Sequence, residues 1–100
     1  MRKRLTDAEL LQLVHLVKAK CAALPVIQAG QWQTHDAHHA AAKLLVAELV
    51  KDHGARVTKP QGGFRLAMAG VAATCTAGES GLLTNWINAA YRDLDRRRLT

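Results

Sequence analysis

The stretch Arg56-Val-Thr-Lys-Pro-Gln-Gly-Gly-Phe-Arg-Leu-Ala-Met68 decides the fold class. Val57 and Thr58 suit a strand, Pro60 to Gly63 suit a turn, and Phe64, Leu66 and Met68 alternate with Arg65 and Ala67. That order predicts a β-hairpin. Gly70-Val-Ala-Ala-Thr-Cys75 either adds a third short strand or simply returns the chain. An isolated hairpin is marginal and must lean on helices, so the sequence on either side has to supply them.

It does. Thr6-Asp-Ala-Glu9 reads as a capping box, in which the Thr hydroxyl and the Glu carboxylate each bond the other residue's backbone N–H. The helix behind it is expected to reach Leu24, with Leu10, Leu13, Val14, Val17, Cys21 and Leu24 on one face. Leu11 and Leu16 widen that face, and Pro25 stops the helix. Residues 25–33 form a connection in which Trp32 either caps the core or lies exposed. A second helix is expected from Thr34 or Asp36 to His53, ended by Gly54 in a left-handed conformation. Its alanines (Ala37, Ala40, Ala41 and Ala47) make a face suited to close helix contact.

The last helix is expected over about residues 78–97. Thr76-Ala-Gly-Glu79 reads as its capping box, and Leu82, Leu83, Trp86, Ile87, Ala90, Tyr91 and Leu94 as its buried face. The fold class is therefore α+β, mainly helical: three helices with a small β-hairpin between the second and third, in one domain over residues 1–100. Trp86, Leu82, Ile87, Leu44, Leu49, Leu13 and Val17 are expected to share one core.

Composition narrows the function classes. Apolar residues make 49% of the chain, too many for a disordered segment. No apolar run reaches the ~20 residues of a membrane span. Met1-Arg-Lys-Arg leads straight into a polar helix start, so no signal peptide is read and a cytoplasmic setting is expected. Cys21 and Cys75 lie in Ala-rich surroundings without a CxxC pattern, as buried reduced thiols do. The net charge of +6 attracts anionic partners, although simple solubility explains it as well.

Catalytic and metal signals are weak. His35 and His39 sit at i, i+4, as metal pairs do, with Asp36 and His38 beside them. A zinc site needs three or four converging ligands, and Asp36 points about 100° from His35 on the helical wheel. An exposed first helical turn accounts for the cluster. Neither cysteine has a neighbouring His, and Pro60-Gln-Gly-Gly63 lacks the ending of a phosphate loop. The chain is expected to be no enzyme and to need no cofactor.

Basic residues gather in three places: the arm Arg2, Lys3 and Arg4; the hairpin residues Arg56, Lys59 and Arg65; and Arg92, Arg96, Arg97 and Arg98 at the end. Charges on a hairpin are preordered, whereas terminal ones fray, so Arg56 and Arg65 should dominate recognition of an acidic surface. Arg56, Lys59, Arg65, Arg92 and Arg96 are the candidate partner-binding residues. A basic hairpin beside a helix also suits a wing on DNA. Against that, Asn85 and Asn88 are the only helical pair of base-reading type, and they flank the packing residue Trp86.

The segment Phe64-Arg-Leu-Ala-Met-Ala-Gly-Val-Ala-Ala-Thr-Cys-Thr-Ala-Gly-Glu-Ser-Gly-Leu-Leu-Thr-Asn-Trp-Ile-Asn-Ala-Ala-Tyr-Arg92 resembles short accessory proteins of Mu-like transposable phages. The resemblance covers residues 64–92 and contains no catalytic motif. It implies a host-takeover role, most concretely that of an anti-CRISPR protein blocking a type I CRISPR surveillance complex in the host cytoplasm. Many such proteins are acidic and imitate nucleic acid. This chain is basic, so the expected partner is an acidic protein face. A small basic DNA-binding regulatory protein is the alternative.

Overall fold

The structure is a computed structural model and describes residues 6–25, 28–59, 62–76 and 78–99. The basic arm, Val26 and Ile27 of the first connection, and Pro60 and Gln61 of the hairpin turn lie outside the described residues. The chain forms α1 (Asp7–Ala22), α2 (Trp32–His53), β1 (Arg56–Thr58), β2 (Phe64–Met68), β3 (Val71–Cys75) and α3 (Glu79–Leu99). The architecture is α+β and mainly helical, and the expected hairpin is a three-stranded antiparallel sheet in the order β1-β2-β3.

Local signals account for most boundaries. The Thr6–Glu9 box closes with bonds of 3.0 and 3.2 Å. Helix α1 ends at Ala22, two residues before the expected Leu24, because Ala23 closes the last turn on the carbonyls of Ala19 and Lys20. Gly54 ends α2 at φ 67°, a conformation that suits a residue without Cβ.

The start of α2 differs from expectation. The helix begins at Trp32, ahead of Thr34. Thr34 works from inside the first turn: its hydroxyl donates to the Gln31 carbonyl at 2.6 Å and accepts from the Gln28 N–H at 2.9 Å. Trp32 is 80% exposed and caps nothing in the core. The second capping box is also not made. Glu79 is the first residue of α3, where a box needs the third, and Gly78 precedes it at φ 112°. The Leu82 N–H bonds back to the Gly78 carbonyl at 3.0 Å, so the helix takes its first turn from Gly78.

Helix α3 is the element the others share, packing against β3, β2, α1 and α2. Its Trp86 is fully buried and donates its indole N–H to the carbonyls of Val71 at 3.2 Å and Met68 at 3.3 Å. A buried donor needs such acceptors, and these two flank the β2–β3 turn. The same core holds Leu82, Leu83 and Ala90 of α3, Leu10, Leu13, Val14 and Val17 of α1, and Leu45 and Leu49 of α2, with Leu66 and Met68 from the sheet.

Leu44 is not in that core; it is 72% exposed. The buried stripe of α2 is Ala42, Leu45, Val46 and Leu49. At ~100° per residue Leu44 lies roughly 150° from its centre. Ala37, Ala40 and Ala47 are exposed too and Ala41 is half-buried, so most of the expected alanine face of α2 is not buried. Leu11 and Leu16 are half-buried, so the widened face of α1 is partly covered.

The end of α3 is tied down rather than loose. Asp93, buried at its inner side, accepts from Arg97 Nε at 2.9 Å and Arg96 Nη2 at 3.1 Å. Arg97 Nη1 also meets Asp7 Oδ1 at 3.0 Å, joining α3 to the first turn of α1. The hydrogen bond to Asp7, then the nearby Asp93, strengthen the hold of Arg97 on its proton.

Candidate functional site

Antiparallel pairing sorts the basic residues. The register sets Arg56 opposite Ala67, Thr58 opposite Arg65, and Arg65 opposite Thr74. Side chains alternate along a strand, so one sheet face carries Arg56, Thr58, Arg65, Ala67, Ala72 and Thr74. The other carries Val57, Phe64, Leu66, Met68, Val71, Ala73 and Cys75. The second face packs on the core, with Leu66 and Met68 fully buried. Arg56 and Arg65 therefore stand together on the outer face, both exposed, as the alternation predicts.

Lys59 does not join them. It lies one residue beyond β1, and its ammonium sits 5.7 Å from the centre of the Phe64 ring. That ring belongs to the opposite face, and an exposed cation–π contact of this kind is worth about 0.5–1 kcal/mol.

Arg92 and Arg65 meet across a groove. The cavity, of about 350 Å³, runs between the outer edge of β3 and the flank of α3. Arg65 and Thr74 line it from the sheet, and Asn85, Asn88 and Arg92 from the helix. Asn85 Nδ2 donates to the Thr74 carbonyl at 2.8 Å and fixes the spacing between the two walls. A second cavity of about 500 Å³ adjoins it through Ala72 and Arg92 and holds Arg96. Asp93 and Asp95 line that part as well, and Arg96 spends one hydrogen bond on Asp93. In the first cavity the charged lining residues are Arg65 and Arg92, with no acid among them.

Asn85 and Asn88 belong to this site, although neighbouring Trp86 marks their helix as a packing element. Their signal is the spacing with Arg92. Residues 85, 88 and 92 follow i, i+3, i+7, one stripe of a helix beside the buried one.

The remaining candidates do not converge. His38 Nδ1 lies 2.9 Å from the Pro25 carbonyl, and the His35 ring tilts against Trp32 with centroids 5.5 Å apart. Among the described residues no three His, Cys, Asp or Glu side chains come together as metal ligands. Cys21 and Cys75 are only half-buried, not fully buried as their surroundings suggested. Burial still pushes the Cys21 thiol up from its usual pKa. Among the described residues no helix is long and apolar enough to cross a membrane. No family model matches the chain, and comparison with curated proteins and with solved structures likewise gave no match.

Proposed function

We propose that the chain is a non-enzymatic inhibitor that binds a host protein complex, most concretely a type I CRISPR surveillance complex, as the resemblance to Mu-like phage accessory proteins implies. The observation that supports a binding role is the juxtaposition of Arg65 and Arg92 across a preformed groove. Two guanidinium groups on packed elements lose less freedom on binding than charges on a frayed end. Each presents a planar fork that matches a carboxylate. An acidic protein face is therefore the partner chemistry this surface fits.

The test is phage plating on a host with an active type I system, with and without the protein. The wild type should restore plating. The double variant Arg65→Glu, Arg92→Glu, verified as folded by circular dichroism, should lose most of that effect. Full inhibition by the folded variant would refute the assignment to this face.

A second reading, a small DNA-binding regulatory protein, is favoured by one observation: Asn85, Asn88 and Arg92 line a single groove. Asn and Arg are residues that read base edges and hold phosphates. A gel-shift titration separates the two. Tight duplex binding with a steep salt slope supports the DNA reading.

A further inference from the structure

We propose that the open edge of β3 accepts an extended acidic segment of a partner protein as a fourth strand, with its carboxylates held by Arg65 and Arg92. The inference deepens the reading above and rests on its acidic protein partner. It adds how that partner is held.

The strand order leaves β3 at one edge of the sheet. Ala69 and Gly70 form the turn between β2 and β3, with φ values of 56° and 79°. Positive φ at both central positions marks a two-residue hairpin of type I′. The residues flanking such a turn, Met68 and Val71, exchange hydrogen bonds with each other. Pairs alternate along an antiparallel ladder, so Leu66–Ala73 and Phe64–Cys75 do the same. Ala72 and Thr74 then turn their backbone N–H and C=O groups outward. The bond from Asn85 to the Thr74 carbonyl agrees with that direction. Among the described residues no hydrogen bond reaches the outward groups of Ala72.

Sheet edges in native proteins are commonly blunted by Lys, Pro, a bulge or a covering element. β3 reads Val71-Ala-Ala-Thr-Cys75 and carries neither Lys nor Pro. Its exposed edge side chains, Ala72 and Thr74, are small and leave room beside the strand. The two adjoining cavities run along it, one at Ala72 to Thr74 and one at Gly70 to Ala72. Five strand residues extend about 16 Å, enough to pair with a short segment.

Charge and hydrogen bonding choose the occupant. An added strand presents side chains alternately to the two faces of the sheet. Arg65 waits on the outer face, and Arg92 waits on the helix packed against the inner one. Acidic side chains of either direction thus find a guanidinium near Thr74 and Ala72. A nucleic-acid backbone fits less well, because phosphodiesters offer no donor to the outward carbonyl of Ala72, whereas a peptide N–H satisfies it.

The probe is a capped octapeptide with the sequence Thr-Glu-Glu-Thr twice over, titrated into the ¹⁵N-labelled full chain. Controls are the Gln analogue and the Glu peptide with alternate backbone nitrogens methylated. The Glu peptide should bind at least about tenfold more tightly than the Gln analogue, as for paired interface charges. It should also slow hydrogen exchange at the Ala72 and Thr74 amides. The methylated peptide should not bind. Equal binding of the methylated peptide, or unprotected edge amides in the bound state, overturns strand addition and leaves the acidic-partner reading standing. Undiminished binding to the Arg65→Glu, Arg92→Glu variant overturns the charge pairing, and the reading above with it. An oligo-dT strand that binds more tightly than the Glu peptide overturns the proposal in favour of nucleic acid.

Discussion

Replacing Trp86 by Ala tests the centre of the structure. The indole is fully buried and its N–H meets two carbonyls beside the β2–β3 turn. A buried aromatic of this kind removes about 150–250 Å² from water, or about 4–6 kcal/mol at ~25 cal/mol per Å². Partial collapse of the cavity brings the expected cost to about 3–5 kcal/mol. That is a large fraction of the ~5–15 kcal/mol that stabilises a small domain. At 4–8 °C per kcal/mol for this chain length, Tm should fall by at least ~12 °C. Urea unfolding followed by far-UV circular dichroism measures the loss. Trp86→Phe separates the two contributions: it keeps a ring, loses the donor, and should cost about 1–2 kcal/mol through a lost hydrogen bond and a small void. Trp32 is 80% exposed, so Trp32→Phe leaves Trp86 as sole reporter, with blue-shifted emission that reddens on unfolding. A Trp86→Ala protein within ~1 kcal/mol of wild type would refute the packing described, since core truncations of this size cost several times more.

Two further outcomes follow from backbone and burial. Ala69 holds φ at 56°, where an L side chain costs roughly 1–2 kcal/mol. Ala69→Gly removes that strain at some cost in unfolded-state entropy, so urea unfolding should show a net gain of about 0.5–1 kcal/mol; a destabilised variant would contradict the turn. Burial raises the Cys21 thiol above its unfolded value. The linked stability is therefore fully present below the unfolded pKa, about 8.5, and is lost as pH rises through the folded pKa. In a Cys75→Ser background, iodoacetamide should label Cys21 with a midpoint at higher pH in the folded protein than in urea, and coincident midpoints would remove burial as the cause.

Elements written in short-range code were legible. The Thr6 box, the Gly54 stop and the alternation of Phe64, Leu66 and Met68 each depend on residues within a few positions of one another. The sign of Leu44 was not legible, because α2 is apolar around much of its circumference and only α3 decides which stripe is covered. The start of α3 was legible to within a residue, expected at about 78 and found at Glu79, but its cap was not. Thr76 and Glu79 satisfy a capping pattern, yet Gly78 adopts a conformation open to glycine and the helix begins directly after it. Arg56, Arg65 and Arg92 were visible as candidates from charge and alternation. The groove was not, since it arises where β3 lies beside Asn85 and Asn88, a long-range contact that no periodicity encodes.

The hub position of α3 sets the order in which the molecule can mature. Synthesis delivers α1, α2 and the sheet first, while the surface that all of them bury against arrives last. Until α3 emerges, Leu10, Val14 and Val17 on α1 and Leu45 and Leu49 on α2 lack the α3 residues of the core they share in the finished fold. The ion pair from Arg97 to Asp7 then links positions ninety residues apart in the chain. Contacts of such long separation slow folding, because chain entropy is lost before the contact forms. Docking of α3 thus completes the core that α1, α2 and the sheet leave open.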